Sequence, residues 1–386
     1  MKIAFFTDTY HPQVNGVVTS IGILKSQLER LGHKVVIITV KVPNTGNETD
    51  VIRVSSIPFP MQKEHRVAMF YSYKTIRMIK REKFDLIHTH TEFSIGTFGR
   101  IVAGKLNLPL IHTYHTMYED YTHYVTKGVG DRYAVKLVKK LSRIICNKSD
   151  CVIAPSEKTY SVLKNYGVRS NLTIIPTGVD IKRFYPDLEI YNSFRDKLGI
   201  SRSVNVLLFV GRLAKEKNIN AMIKAMPEIV EKKPETVLVI AGDGDEKSSL
   251  ENLSEKLRVS DNIIFIGEVK YTEIDKYYKM ADFFVSASTS ETQGLTYIEA
   301  LASGLPVIAK YDSNLKNVVE ERYNGSFFFE DSELPEAVLR ALSAKETALW
   351  KKNAMRSAEK FSDITFGQRV EKLYYSQLKQ KLQKVI

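Results

Sequence analysis

Two carboxylates eight positions apart, Glu291 and Glu299, bracket the run Glu291-Thr292-Gln293-Gly294-Leu295-Thr296-Tyr297-Ile298-Glu299. The apolar stretch Phe283-Phe284-Val285 before it reads as a buried strand, residues 286–290 as a turn-rich loop, and Ile298 to Ala302 as a helix that stops near Gly304. A helix start at about Gln293 to Thr296 leaves backbone N–H groups unpaired and partly positive, which suits a phosphate. One carboxylate then lies at the loop mouth and the other just over two turns away, so the pair can reach both ends of a nucleotide-linked ligand. Taken alone, the two could equally be a helix cap and a surface charge.

A second constellation supplies the opposite sign. Gly211-Arg212-Leu213-Ala214-Lys215-Glu216-Lys217-Asn218 follows an apolar run and reads as a strand end opening into a helix. Arg212 and Lys217 can then both point to where a diphosphate would lie, and fixed positive charge there stabilises the negative charge that grows on a departing phosphate. The competing reading is a solvated, Lys-rich helix start; Lys215 is read as surface. Gly242-Asp243-Gly244-Asp245 invites a metal, but a hard cation needs more oxygen ligands than this loop offers, and glycines beside a strand end permit a tight turn and close backbone approach. No metal site is expected. His115 closes the run Leu110-Ile111-His112-Thr113-Tyr114 and so stands at the carboxyl end of a strand. His88, His90 and His112 are near in sequence and are assigned no role. Asn15-Gly16 follows the first strand and precedes a helix carrying Thr19 and Ser20, where Gly16 lets a ligand approach the backbone, although Asn-Gly is also an ordinary turn.

These residues need strands that end beside one another. Short apolar runs alternate with helical stretches throughout, near Ile3 to Phe6, Val35 to Val40, Leu86 to His88, Leu110 to Thr113, Val152 to Ala154 and Thr173 to Ile175, then again at Val206 to Val210, Val237 to Ala241, Ile263 to Ile266, Phe283 to Val285 and Val307 to Ala309. The alternation predicts an α/β fold of two doubly wound parallel sheets, each covered on both faces. Turn residues, Pro186 and mixed charge place the boundary between Gly178 and about Ser203. The expected division is an N-terminal acceptor-facing domain, 1–185, a C-terminal donor domain, 186–365, and a terminal helix, 366–386. Ligands of such sheets bind beyond the carboxyl ends of the strands, so the active site is expected between two facing Rossmann-like domains.

Glu-x7-Glu followed by Ala300 and Gly304-Leu305-Pro306-Val307-Ile308-Ala309 resembles the donor segment of the GT-B glycosyltransferases of the family 4 type. Asn15-Gly16-Val17, His115, Pro176-Thr177-Gly178-Val179-Asp180 and Gly211-Arg212-Leu213 with Lys217 extend the resemblance over nearly the whole chain. The resemblance implies a GT-B fold, with the last helix crossing back to the first domain. It also implies a retaining transfer in which Glu291 binds donor hexose hydroxyls, Glu299 binds the ribose hydroxyls, and backbone N–H groups around Gly294 and Leu295 meet the diphosphate. By the same resemblance His115 contacts the donor sugar, Gly16 lies near the donor phosphate, and Asp180 shapes the hinge. The run from His115 to Tyr121, His-Thr-Met-Tyr-Glu-Asp-Tyr, is similar to the corresponding segment of bacterial α-glucosyldiacylglycerol synthases, which implies UDP-glucose as donor, diacylglycerol as acceptor and no cofactor. A polysaccharide or polyprenyl-linked glycan acceptor is the alternative, followed by a sugar-nucleotide epimerase and a non-enzymatic nucleotide-sugar sensor.

Charge agrees with a lipid surface. The net charge is +12, and residues 1–200 carry 29 basic against 17 acidic residues while 201–386 carry 27 against 27. An anionic membrane leaflet is the expected partner; no helix-turn-helix, zinc finger or aromatic-and-basic RNA motif points to nucleic acid. Two basic stretches have helical spacing. Lys74, Arg77, Lys80 and Arg81 lie beside the apolar stripe Met69, Tyr73 and Ile76, and Arg132, Lys136, Lys139 and Arg143 lie opposite Ala134, Val138, Leu141 and Ile145. Each alone could be an ordinary surface helix packed on the sheet. With no apolar run of membrane-spanning length and no signal-peptide pattern, the expected location is cytoplasmic and peripheral on the inner membrane face. Cys146 and Cys151 lack a His or Cys cluster and read as reduced and structural.

Overall fold

The computed structural model describes residues 1–386 apart from 14, 44, 47, 60–61, 69–72, 116–130, 290, 292 and 384–386, with the side chains of 59, 62–65, 73–74 and 131–134 also outside the description. Met69, residues 116–121 of the acceptor-like run, Thr292 and the side chains of Tyr73, Lys74, Arg132 and Ala134 therefore lie outside the described residues.

The chain forms two compact units, Met1–Gly178 with Asp363–Ile386, and Val179–Ser362. In the first, strands β1 (Lys2–Phe6), β2 (Lys34–Val40), β3 (Val51–Val54), β6 (Leu86–Thr89), β7 (Leu110–Thr113), β8 (Cys151–Ala154) and β9 (Asn171–Ile174) form a sheet of order β3-β2-β1-β6-β7-β8-β9. Every pair in it is parallel. A separate antiparallel hairpin joins β4 (Ser56–Phe59) and β5 (Gln62–Ala68). The apolar runs are strands because both faces are covered: Ile3 and Phe5 pack into one cluster, while their neighbours Ala4 and Phe6 pack into another on the opposite face.

The second unit repeats this logic with β10 (Asn205–Val210), β11 (Thr236–Ala241), β12 (Ile263–Gly267), β13 (Phe283–Ser286), β14 (Val307–Lys310) and β15 (Gly325–Phe328), in parallel order β12-β11-β10-β13-β14-β15. Val206 and Leu208 enter one core cluster, and Leu207 and Phe209 the other. In each sheet the strand order reverses once, between β1 and β6 and between β10 and β13, and a crevice opens at such a switch point beyond the carboxyl ends of the strands.

The division falls earlier than the expected 185/186. Val179, Ile181 and Phe184 are buried in the second unit's core, and the Val179 N–H donates to the Phe361 carbonyl at 2.9 Å, so apolar contact outweighs the turn residues that suggested a later boundary. The last helix, Asp363–Gln383, belongs to the first unit. Its Phe366, Val370 and Tyr374 join the cluster of Ile3 and Phe5, and a Cβ on Gly367 would lie 2.5 Å from Gln27 Cβ, so glycine permits close helix contact there. Divided this way, the charge asymmetry sharpens to 30 basic against 15 acidic residues in the first unit and 26 against 29 in the second.

Candidate active site

In the second unit the two loops at the switch point are tied together. After β10 the chain does not open directly into a helix, as its sequence suggests. Residues 211–214 form a loop, Lys215–Lys217 a single 3-10 turn, and Asn218 takes a left-handed conformation at φ 50° before the helix Ile219–Lys232. Asn218 stops one helical trajectory and starts another, which leaves Arg212 and Lys217 on the connection. The carbonyl of Glu216 accepts from the Thr289 N–H at 2.9 Å, so the loop after β13 is pinned to the loop after β10. Across that junction Lys217 Nζ lies 2.7 Å from Glu291 Oε1, and Arg212 Nη2 lies 2.7 Å from Glu216 Oε1. Lys217 is 22% exposed and Arg212 57%, so the first cation is held in place and the second is presented to solvent. Asn314 fixes the Glu291 backbone by donating to its carbonyl.

The helix after Glu291 spans Leu295–Ala302, and its N-cap, Gly294, sits at φ 74° with no side-chain cap. A Cβ there would lie 2.9 Å from both Leu315 Cδ2 and Tyr297 Cδ2, so conformation and space both call for glycine. The N-cap glycine thus brings no side chain of its own to the first backbone donors of the helix, in the place where an anion would be stabilised. Glu299 is buried on the same helix, with Tyr278 Oη donating to its Oε2 at 2.9 Å. Burial pushes its carboxyl up to about 7, against the opposing pull of the hydroxyls of Tyr278 and Tyr271 and of the Arg183 guanidinium. Sequence reading missed these three partners, because residues 183, 271 and 278 are brought to Glu299 only by the fold. Arg183 donates to Asp275 Oδ1 at 3.0 Å and to the Tyr271 carbonyl, which anchors it beside that cluster.

The Gly242 to Asp245 segment meets the β10 loop by backbone. A Cβ on Gly242 would lie 1.8 Å from the Gly211 carbonyl oxygen, and one on Gly244 2.4 Å from that of Leu213. Leu213 N–H donates to the Asp243 carbonyl at 2.9 Å, and the Asp243 carboxylate accepts from the Gly244 N–H at 2.7 Å. The glycines therefore serve close backbone approach. Among the described residues no group of three or more His, Cys, Asp or Glu side chains is arranged to hold a metal ion.

In the first unit Gly16 opens the helix Gly16–Arg30, whose N-cap Asn15 accepts from the Val18 N–H at 3.0 Å. Apart from its chain neighbours and its own helix backbone, no atom of the described residues lies within 4 Å of the position a Gly16 Cβ would take, so the backbone is open to approach. His115, just past β7, is joined to residues the sequence reading set aside. His90 Nδ1 lies 3.1 Å from His115 Nε2 with the rings stacked. His88 is bonded through Nδ1 to Tyr374 Oη at 2.6 Å and through Nε2 to Thr113 Oγ1 at 2.7 Å. His112 Nε2 lies 3.1 Å from Glu92 Oε1. Burial depresses the His88, His90 and His115 imidazoles, His115 to about 4, so all three are neutral near pH 7. The signal was present in the sequence: His88-Thr89-His90-Thr91-Glu92 ends β6 and His112-Thr113-Tyr114-His115 ends its neighbour β7.

The two basic stretches differ. In the helix Tyr73–Arg81, Arg77, Lys80 and Arg81 are exposed, but Ile76 packs toward the core beside buried Ile79, so Ile76 faces the sheet and not a bilayer. In the helix Asp131–Cys146 the apolar stripe is not the expected one. Leu137, Leu141 and Ile144 are 57%, 47% and 40% exposed, forming a ridge at spacings of four and three, with exposed Lys136, Lys140 and Arg143 along one flank. Lys139 is also exposed, its ammonium over the Tyr166 ring. Val138 and Ile145 are half-buried, and Ser142 is buried with its hydroxyl 2.9 Å from Tyr114 Oη. Leu141 therefore belongs to the outer face. Among the described residues no helix is long and apolar enough to cross a membrane.

Two family models match the chain: Glycosyltransferase Family 4 over residues 14–183 and Glycosyl transferases group 1 over residues 191–357. The chain is 41% identical over 382 residues to an alpha-monoglucosyldiacylglycerol synthase of Streptococcus pneumoniae, covering 97% of this chain and 85% of that protein. It is 38% identical over 387 residues to the protein of the same name from Acholeplasma laidlawii, covering 97% and 96%. Among solved structures it is similar to Anabaena HepE in complex with UDP, with a TM-score of 0.78 at 18% identity over 97% of this chain and 100% of that one. Sucrose-phosphate synthase from Thermosynechococcus elongatus gives a TM-score of 0.75 at 22% identity, covering 97% and 98%. These likenesses establish the GT-B fold.

Proposed function

We propose that this chain, which belongs to the glycosyltransferases of family 4 and group 1, moves glucose from UDP-glucose to the free hydroxyl of diacylglycerol at the cytoplasmic face of the membrane, with retention of anomeric configuration. The observation that carries the acceptor is the near full-length identity to two proteins named for that product. The exposed Leu137, Leu141 and Ile144 ridge beside Lys136, Lys140 and Arg143 supports it, since a helix with that outer face lies stably in the interface of an anionic bilayer. Arg77, Lys80 and Arg81 add to the electrostatic attraction.

In this reading the donor binds at the carboxyl ends of β10 and β13. Arg212 and Lys217 neutralise the diphosphate, together with backbone N–H groups at Gly294 and Leu295. Glu291 accepts from hexose hydroxyls and Glu299 from the ribose. His115 addresses the transferred sugar, and Gly16 gives room for the donor phosphate. The acceptor oxygen forms a bond to the anomeric carbon on the face from which the phosphate leaves, the carbon–oxygen bond to the diphosphate breaks, and the acceptor proton passes to a phosphate oxygen. The products are glucosyldiacylglycerol and UDP. Two cations and a helix start supply the positive charge, so no metal or cofactor is assigned.

Supplying UDP-glucose to the protein with vesicles that carry either diacylglycerol or a polyprenyl-linked glycan tests the reading. Labelled sugar is expected in the diacylglycerol fraction; label in the glycan alone would replace the acceptor, and UDP release with no labelled product would replace the reaction.

A further inference from the structure

We infer that His90 is a positioning residue that fixes the tautomer of His115, so that His115 carries its proton on Nδ1 and presents it as a hydrogen-bond donor. The assignment rests on how two imidazoles can share one contact. His90 Nδ1 and His115 Nε2 are 3.1 Å apart, so one nitrogen bears the hydrogen and the other accepts it. The other His90 nitrogen, Nε2, is buried and without a hydrogen-bond partner among the described residues.

Two arrangements are possible. If His115 donates, His90 must carry its own hydrogen on Nε2, which leaves a buried N–H with nothing to receive it. If His90 donates from Nδ1, its Nε2 is a bare lone pair, and the His115 proton moves to Nδ1. Orphaned buried N–H groups are among the rarest features of folded proteins, and an unsatisfied acceptor is better tolerated. The second arrangement wins. Its surroundings leave His90 little freedom to turn over. The ring lies 4.7 Å from the Phe5 ring and 4.1 Å from that of His88, and His88 is itself held at both nitrogens by Tyr374 and Thr113. Both members of the pair are neutral near pH 7 because burial disfavours their charged forms, so each has one hydrogen to place.

The consequence for chemistry depends on the reading given above, in which His115 addresses the transferred sugar. His115 Nδ1 makes no hydrogen bond with any described residue. A neutral imidazole with its proton fixed there donates to a sugar oxygen without bringing a charge, and needs no tautomer change when the donor binds.

The test is long-range proton–nitrogen NMR on protein labelled with ¹⁵N-histidine, with His115 assigned through a His115→Gln variant. In the wild type, the His115 Nδ1 resonance is expected in the protonated range and Nε2 in the unprotonated range. His90→Asn keeps a donor near the place of Nδ1 and is expected to preserve that pattern, while His90→Leu releases it toward Nε2–H. Glucosyl transfer should fall about tenfold in kcat for His90→Leu, with little change in KM, and recover in His90→Asn. Protonation of His115 at Nε2 in the wild type overturns the inference, and needs no variant to fold. So does a His115 tautomer that is the same in the Leu variant. A tautomer that follows His90 while transfer does not change would uphold the positioning and remove the sugar contact from the reaction instead.

Discussion

Lys217 Nζ and Glu291 Oε1, 74 residues apart in the chain, are 2.7 Å apart across the point where the second sheet reverses its strand order. The pair joins the loop after β10 to the loop after β13, and in doing so holds one cation ready at the crevice. A carboxylate that orders a cation also competes with an anionic ligand for it, so donor binding must loosen this contact or share it.

Replacing Lys217 by Ala is expected to cut turnover at least about a hundredfold, the scale of losing a charge partner of the leaving group. Stability should change by no more than about 1 kcal/mol, because the pair is partly exposed. Arg212→Ala should behave similarly in turnover, with less effect on stability, since Arg212 projects into solvent. Steady-state kinetics beside thermal melting checks this, and near-normal kcat in Lys217→Ala contradicts the diphosphate role.

Glu299 makes stability depend on pH. Its carboxyl titrates at about 7 when folded against 4.5 as the reference. The folded state therefore holds a proton that the unfolded state has released between those values. The contribution is fully present below about 4.5 and is lost as pH rises through about 7, on the order of 3 kcal/mol in all. Glu299→Gln, which keeps the neutral shape, should melt with a flatter pH dependence between pH 5 and 8. UDP affinity should run the other way in the wild type, rising toward pH 8 as the carboxylate forms to accept ribose hydroxyls, and the Gln variant should lose that component. Titration calorimetry at pH 6, 7 and 8 for both proteins measures it.

Chelation should leave transfer intact. Asp243 already accepts from the Gly244 N–H, and two cations and a helix start with glycine at its N-cap provide the positive charge the donor needs. Activity assayed in excess chelator is expected to match the untreated protein; loss of activity that Mg²⁺ or Mn²⁺ restores would return a metal to this loop.

Membrane binding should separate into two parts. Changing Lys74, Arg77, Lys80 and Arg81 together to Ser should weaken co-sedimentation with anionic vesicles most at low salt, each basic residue contributing on the order of 1 kcal/mol. Changing Leu137, Leu141 and Ile144 to Ser should remove the binding that survives high salt. UDP affinity should be unchanged in both. Equal binding of all three proteins to anionic and neutral vesicles would take away the electrostatic argument.

What could be read in the sequence was whatever repeats along the chain. Buried parallel strands are continuous apolar runs, so β1, β2, β7, β10 and β11 were legible to within a residue or two. Strands β3 and β15 were not, because one is a four-residue edge strand and the other opens on a glycine. That glycine is required by space, since a Cβ on Gly325 would lie 2.3 Å from the Val307 carbonyl oxygen. Arg212, Lys217 and Glu291 could be placed at strand ends and Gly294 at a helix start, and the histidines could be placed at the ends of two strands. Tyr278 beside Glu299, however, depends on contacts between separate elements, and His90 beside His115 on β6 and β7 being neighbours. The outer face of the helix Asp131–Cys146 was misplaced for a related reason. Leu137 and Leu141 carry no mark in sequence of facing outward, and only the packing of Ser142 and Cys146 inward decides it.

In the proposed reaction glucose passes from UDP to diacylglycerol with its configuration kept. Identification of the lipid product by NMR, beside a count of the UDP released, tests that transfer most directly. One α-linked glucosyldiacylglycerol is expected for each UDP; a β linkage, or UDP released without a glucolipid, would overturn the proposed transfer.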